Sequence, residues 1–416
     1  MGKVLVAVRE GISNERSYGR RKQNQMLNDD GISKLCRTGL LVLLFTSFFP
    51  ALFHLHEYIF FGLLVVSVVT VWQRREFMSV ATSIDKPLLF FIGWILLTVP
   101  FASDPLYSFG EWRKLAVQGL VFYWSIFALR LFGDPHMIRH VSLLVGAGVT
   151  VIASNAVIQF FLTDGALLFD RALGTRALAM GSDANVLSTY MVLGMPSIVM
   201  VGMMPRMKTW RACWGAVSIV ALAANYLSYM RAGWLAMAIE AVFLGGITKK
   251  TRLTRAAAGG SIGFFIAMAL LYQFGYYTGI FSFESIHSRF QYWEIGVGRL
   301  LASPLVGIGY GQLTENLSLH NLFLMVAVGS GFPGVFLLLY LFISSVKALA
   351  LKAHTSTDES QRVYAIAGAV MVVGFAVRNF FDYMFAGGLA SLFWILLAVG
   401  FASCAEGDGG GRKYRW

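Results

Sequence analysis

The sequence predicts an all-α integral membrane protein with about twelve transmembrane helices. Of its 416 residues, 57% are hydrophobic and only 13% are charged, whereas an average soluble domain carries about 25% charged residues. Long apolar runs recur along the whole chain, and basic residues gather in the polar segments between them. A bilayer therefore suits most of this chain better than water does.

The apolar runs have the length of roughly 17–25 residues that a helix needs to cross a bilayer. The predicted spans lie near 35–53, 57–73, 86–103, 112–132, 138–163, 184–204, 210–227, 231–248, 255–274, 319–346, 363–381 and 385–404. This division predicts a cytoplasmic N-terminal tail over 1–34, a single transmembrane domain over 35–404 and a cytoplasmic C-terminal tail over 405–416.

The basic residues predict the orientation of the spans. With a cytoplasmic N-terminus, every cytoplasmic loop carries Lys or Arg, as at Arg74 and Arg75 or at Lys249 and Lys250, which satisfies the positive-inside rule. The other face then holds two long loops, 163–183 and 275–318, and the second precedes the tenth span. Because long loops in compact domains usually carry function, we expect the working groups on that face.

Several functional classes lack support in the sequence. The net charge is +12. The basic residues that produce it lie in the segments between spans rather than on the face of a folded domain, so we expect no nucleic acid partner. The phosphate loop ending in Gly-Lys-Ser/Thr and the His-Glu-x-x-His and Cys-x-x-Cys spacings are missing, which argues against nucleotide hydrolysis and zinc. We therefore expect a metal-free mechanism without a cofactor.

His320 is the histidine best placed for chemistry. Together with Asn321 it stands between the second long loop and the next apolar run, where a neutral imidazole could take a proton from a hydroxyl near pH 7. The alternative is a helix-entry histidine that hydrogen-bonds only to water or backbone. His287, close to Arg289 in the same loop, is its main competitor.

A few arginines break the cytoplasmic bias of the basic residues. Arg231 lies between two apolar runs and Arg289 in the second long loop, while Arg176 and Arg378 are others that folding could bring near them. An arginine in such a setting is costly unless it is paired or binds an anion, and its guanidinium suits phosphate oxygens. The alternative is pairing with external carboxylates, such as those of Asp183, Glu294, Glu315 or Asp382.

Glycines also mark the second long loop. Pro304, Gly307, Gly309 and Gly311 permit a close backbone approach to a ligand or to the membrane surface. A structural turn would explain the same residues equally well.

In this order and on this pattern of spans, the residues resemble the O-antigen ligase and polymerase superfamily of membrane glycosyltransferases. The resemblance covers roughly 165–385, and Ala184 stands where the family usually has proline. Its elements are Arg171 to Gly174, Asp183-Ala184-Asn185, Ser228-x-x-Arg231-x-x-Trp234, Ser288-Arg289 with Trp293, Pro304-x-x-Gly307-x-Gly309, His320-Asn321 and Gly329-x-Gly331-x-x-Gly334.

The length of the chain, the long loop and its terminal histidine are most similar to the O-antigen ligases. This resemblance implies a GT-C-like enzyme of the bacterial inner membrane with a periplasmic active site. It would move a finished polysaccharide from undecaprenyl diphosphate to the lipid A-core oligosaccharide.

The resemblance also implies roles for individual residues. Arg231 and Arg289 match arginines that hold the diphosphate, and His320 matches the histidine that activates the acceptor hydroxyl. Displacement would be direct and inverting, and His320 would act either as the base or as a group that orients the hydroxyl. Supporting positions are Arg176, Asn321, Arg378 and Asp382.

Two other functions remain open at this point. The nearest is a polymerase of O-antigen or another polysaccharide, which uses the same lipid-linked donor but a different acceptor. The other is a transporter of lipids or solutes, which would place charges along a path through the membrane and often shows repeat symmetry. The sequence shows no internal repeat, and its external charges gather on one face.

Overall fold

The computed structural model describes residues 34–49, 52–74, 81–131, 135–163, 176–180, 182–273, 283–312 and 319–402. Every long regular element within them is an α-helix, so the predicted all-α class is confirmed for this part of the chain. Both predicted tails lie outside the described residues, apart from Lys34. Residues 164–175 of the first long loop lie outside them as well.

Each predicted span coincides with a helix of the described residues. The helices are α1 (34–47), α2 (Phe53–Arg74), α3 (Asp85–Thr98), α4 (Pro105–Leu131), α5 (Pro135–Leu162), α6 (Ala184–Gly202), α7 (Arg211–Leu227), α8 (Arg231–Ile247), α9 (Thr251–Gln273), α10 (Phe283–Ala302), α11 (Leu322–Thr355), α12 (Glu359–Phe380) and α13 (Gly387–Phe401).

Four of these helices are long and apolar enough to cross a membrane by length and composition. They are α5 from His140 onward, α6, α11 and α12. Large apolar side chains on the outside of the bundle are exposed, among them Ile219 at 68% and Phe336 at 64%. Isolated exposed apolar residues are ordinary, but this many on long apolar helices is typical of a surface that faces lipid.

Helix α10 is a feature that the sequence analysis did not predict. It occupies 20 residues of the predicted long loop 275–318. Residues 289, 293, 296 and 300 face the protein at helical spacing, while Phe290, Glu294, Val297 and Arg299 are exposed. The apolar runs that predict spans do not include this helix, because polar residues such as Arg289, Gln291 and Glu294 interrupt it.

Helix α12 is the centre of the bundle. It packs against α6, α8, α11 and α13, and most of its residues from Val363 to Asn379 are buried. This arrangement brings Arg378, near the C-terminal end of α12, to the start of α6.

Helix α11 contains a kink that the loop after α10 fills. Ser330 and Gly331 leave helical geometry, and Pro333 has no N–H to donate. The carbonyl oxygens of Val328 and Gly329 instead accept hydrogen bonds from the backbone N–H groups of Ile308 (2.9 Å) and Gly309 (3.1 Å). The loop thus supplies the partners that buried backbone groups require at a helix break.

Two glycines make this contact between loop and helix possible. Gly307 and Gly331 have φ of +70° and +74°, values that side chains rarely tolerate. A Cβ at Gly307 would press on the Val328 carbonyl oxygen, and one at Gly331 would overlap the Leu305 carbonyl. Of the two explanations for the glycine pattern, the structure supports the turn, because the backbone approaches backbone.

Candidate active site

His320 lies at the entrance of α11 beside a buried carboxylate. Its Nδ1 is 3.2 Å from Oδ1 of Asp382, and the two side chains are 36% and 3% exposed. Because a carboxylate only accepts hydrogen bonds, Nδ1 is the protonated nitrogen of the neutral ring and Nε2 carries the lone pair. The pair therefore orients an imidazole whose Nε2 can act as a base.

The backbone around His320 is fixed from both sides. His320 has φ of +49°, an uncommon conformation for a residue with a side chain. Asn321 caps α11 by accepting a hydrogen bond from the Leu324 N–H at 3.0 Å, and the Leu322 N–H donates to the Asp382 carbonyl at 3.0 Å. Asn321 is thus the N-cap of α11.

Asp382 also contacts two groups close to it in the sequence. Its Oδ1 also accepts from the Tyr383 N–H at 2.9 Å, and its Oδ2 is 3.6 Å from Nη2 of Arg378. Burial raises the pKa of the Asp382 carboxyl, but the hydrogen bond from His320 and the charge of Arg378 outweigh burial and lower that pKa below its ordinary value of 3.8. Asp382 is therefore an anion at neutral pH.

Arg378 links this pair to the start of α6. Its side chain is 1% exposed, and Nη2 donates to Oδ1 of Asn185 at 2.9 Å and to the Asn185 carbonyl at 3.3 Å. Asn185 lies just after Asp183, which caps α6 by accepting from the Val186 N–H at 2.8 Å. A buried arginine with such partners is fixed in position, which orients Asp382 in turn.

The candidate arginines form a cluster of like charge close to this pair. Arg231 is partly buried and is repelled by both Arg289 and Arg176, and Arg289 acts in the same way on Arg378. These three pairwise repulsions link four guanidinium groups that come from four different segments of the chain. Such a concentration of positive charge in a partly dry site is suited to a polyanion such as diphosphate.

Two local structures position these arginines. Arg231 is the first residue of α8, after a tight turn in which Tyr229 has φ of +53°. Trp234 supports the turn by donating from Nε1 to the Asn225 carbonyl at 3.0 Å. On α10, Nη1 of Arg289 donates to the Phe381 carbonyl at 2.9 Å, immediately before Asp382.

Helix α10 also connects the arginine cluster to His320. Nε1 of Trp293 donates to the Leu319 carbonyl at 2.9 Å, and the Tyr292 ring lies 6.2 Å from the imidazole ring. The competing histidine, His287, is exposed and contacts Gln291 on its own helix. His320 therefore has the buried carboxylate partner that a positioned base needs, and His287 contacts an amide.

The structure thus brings together all seven residues that the sequence analysis selected: Arg176, Arg231, Arg289, His320, Asn321, Arg378 and Asp382. Arg171 lies outside the described residues. Two partners were not predicted: Asn185, which accepts from Arg378, and Phe381, which accepts from Arg289. Asn185 is 193 residues from Arg378 along the chain, and no local sequence pattern marks such a pair.

The comparison with known families agrees with this geometry. A family described as O-Antigen ligase matches residues 216–339, which include Arg231, Arg289, His320 and Asn321 but not Arg176, Arg378 or Asp382. No curated protein gives a significant match to the chain. The match supports assignment to the O-antigen ligase family, and with the apolar helices it indicates a membrane protein of glycosyltransferase type.

Proposed function

Starting from the match of residues 216–339 to the O-antigen ligase family, we propose that this protein transfers a polysaccharide from undecaprenyl diphosphate to the lipid A-core oligosaccharide. The observation that carries the proposal is a histidine oriented by a buried carboxylate next to clustered guanidinium groups. His320 with Asp382, and Arg231 with Arg289, have the chemistry that the two ends of this transfer require.

The transfer is a single displacement at the anomeric carbon. His320 Nε2 takes the proton of the acceptor hydroxyl while that oxygen forms its bond to the anomeric carbon, and Asp382 stabilises the imidazolium that results. The bond between the anomeric carbon and the phosphate oxygen breaks with inversion, and its electron pair stays on the lipid diphosphate. No metal ion and no covalent glycosyl-enzyme enters this scheme.

The arginine cluster stabilises the leaving group. As the bond breaks, negative charge grows on the diphosphate, and fixed cations in a site of low dielectric constant stabilise this charge without having to reorganise. Arg231 and Arg289 contact the diphosphate, and Arg176 adds its charge. Arg378 acts at a distance, through Asp382 and Asn185.

The proposal includes a topology. Each helix other than α10 is a transmembrane span, which makes about twelve spans in the inner membrane, in a GT-C-like arrangement. Helix α10 is an amphipathic helix on the periplasmic face. One observation supports this topology. The positive-inside rule assigns four residues to the same face of the membrane, and these residues lie together in the structure: Arg231, Arg289, His320 and Asp382.

Deletion of the gene, followed by analysis of lipopolysaccharide and of lipid-linked glycans, tests the function. A ligase deletion leaves full-length polysaccharide on undecaprenyl diphosphate and bare lipid A-core in the membrane. Single repeat units on the lipid carrier would instead identify a polymerase. Normal lipopolysaccharide with all intermediates at their usual levels would overturn both.

A further inference from the structure

An apolar groove lies along the pair of packed helices α8 and α9. It has a volume of about 550 Å³ and is lined by residues of these two helices. Apart from Ser261, the described residues that line it are apolar. Ile262 and Ile266 of its α9 wall are exposed, so the groove opens away from the bundle. A hydrocarbon chain is the kind of ligand that such a groove suits.

The α8 wall of the groove continues the helix face on which Arg231 lies. Leu235, Ala238, Ile239 and Val242 line the groove, and they follow Arg231 at the spacing i+4, i+7, i+8 and i+11 of one helix face. At 1.5 Å per residue, these four residues lie from about 6 Å to about 16 Å from Arg231 along the helix axis. The groove thus begins about one turn from a member of the arginine cluster.

The other face of α8 is turned towards the protein. Gly233, Glu240 and Leu244 are buried there, and a Cβ at Gly233 would overlap Oγ of Ser188 in α6. Arg231 is only half-buried and lies on the side of the groove. A lipid in the surrounding bilayer can therefore reach this arginine along the groove without passing between packed helices.

The arginine cluster decides which lipid fits. Lipid tails in general are as apolar as this groove, so the groove alone does not distinguish one hydrocarbon chain from another. In the donor, the diphosphate joins the anomeric carbon directly to the polyprenyl chain, so this chain begins beside the guanidinium groups that hold the diphosphate. In the acceptor, the core oligosaccharide separates the reacting hydroxyl from the acyl chains. The donor's chain is therefore the one whose position matches the groove.

We propose that the groove between α8 and α9 binds the first isoprenoid units of the donor's polyprenyl chain, while Arg231 at its head holds the diphosphate. The inference rests on the proposed function and adds the route of the donor, which enters sideways from the bilayer. A chain held in the groove restricts where the diphosphate stands, and thereby positions the anomeric carbon for attack.

Steady-state transfer by the purified full-length protein tests the groove. Ala238→Phe places a ring in it, so we expect the KM for the undecaprenyl-linked donor to rise about tenfold and the KM for the lipid A-core acceptor to stay within about twofold. Ala216→Phe, the same change at an exposed position of α7, is the matched control and should alter neither constant. Ile262→Trp fills the groove from its exposed side and replaces Ala238→Phe if that protein does not fold.

The length of the donor's chain gives a sharper readout. For the wild type, a donor whose chain has a single isoprenoid unit should have a KM about tenfold higher than the undecaprenyl-linked donor. This difference should be lost in Ala238→Phe and kept in Ala216→Phe, because only the first variant closes the groove to the longer chain.

Photo-cross-linking measures binding without turnover. Geranylgeranyl diphosphate that carries a diazirine in its chain should label peptides of α8 and α9, and should label Ala238→Phe about tenfold less. Undecaprenyl diphosphate should displace this reagent, whereas phosphatidylglycerol at the same concentration should not.

Three outcomes separate the inference from the proposed function. An unchanged donor KM in a folded Ala238→Phe protein that still transfers glycan would overturn the inference while the proposed function stands. Equal displacement by phosphatidylglycerol would show that an ordinary bilayer lipid occupies the groove, and would overturn the inference as well. If the wild type is labelled as expected but transfers no glycan, the groove remains a site for polyprenyl diphosphate and the proposed function fails.

Discussion

Replacement of Asp382 by asparagine separates the role of its charge from the role of its shape. The asparagine side chain would keep an accepting oxygen near His320 Nδ1 but would lack the negative charge that stabilises the imidazolium in the transition state. A hydrogen bond to a charged group contributes about 1.5–3 kcal/mol. His320 is 36% exposed, so solvent screens the pair and the lower part of that range applies. The lower part, about 1.5–2.2 kcal/mol, corresponds at about 1.4 kcal/mol for each factor of ten to a fall in kcat of about tenfold to fortyfold for Asp382→Asn.

The assay is transfer by purified protein at saturating concentrations of both glycolipids, with thermal unfolding measured on the same samples. Asp183→Asn is the matched control, because it removes a carboxylate that also acts on Arg378 and yet keeps a good helix cap for α6. A folded Asp382→Asn protein with a kcat equal to that of Asp183→Asn would refute the role of Asp382 as the partner of the base.

Acid stability provides an independent measure of the same carboxylate. Because the pKa of Asp382 is lowered on folding, its contribution to stability is present above the ordinary pKa of 3.8 and is lost as the pH falls through the folded value. The melting temperature of the wild type should therefore fall more steeply below about pH 4 than that of Asp382→Asn. Parallel curves would show that Asp382 is not selectively stabilised as an anion.

The base, the arginine cluster and the topology can each be tested separately. His320→Ala should lower transfer by about 10²–10⁴-fold while donor binding persists, and His287→Ala should have a much smaller effect; substantial transfer by His320→Ala with an unchanged pH profile would eliminate the base. Arg289→Lys should lower transfer by about tenfold or more, because an ammonium cannot replace the guanidinium fork; near-normal transfer would return Arg289 to a structural role. A membrane-impermeant thiol reagent should label Cys placed at Gln312 in intact spheroplasts but not Cys placed at Lys250, and the reverse pattern would invert the topology.

The positions of the long apolar helices were predictable because their signal is local. An apolar run of sufficient length marks a span whatever its neighbours are, and every predicted span coincides with a helix in the described residues. Helix α10 has a different signal, since Arg289, Trp293, Gly296 and Leu300 face the protein at helical spacing while polar residues stand between them. A search for amphipathic rather than apolar segments would have found it.

The partners within the site were not predictable in the same way. His320 and Arg231 stand out in the sequence because a polar residue at the edge of an apolar run is unusual. Asp382 was named only as a supporting residue, and its pairing with His320 joins residues 62 positions apart. Only the packing of α12 against α11 makes this contact, and no single-sequence pattern specifies which carboxylate will pack beside which histidine.

The distances along the chain between these partners have a consequence for biogenesis. Spans enter the membrane from the N-terminus onward, so Arg231, Arg289 and His320 are in place before Asp382 has been synthesised. The kink of α11 needs only residues 304–309, which precede it, whereas the imidazole lacks its carboxylate until the end of α12 has been inserted. Under the proposed function, a chain that stalls before this point would have the arginines for diphosphate but no oriented base. Transfer would thus begin only once α12 is complete, and shorter chains in the membrane would not consume lipid-linked glycan.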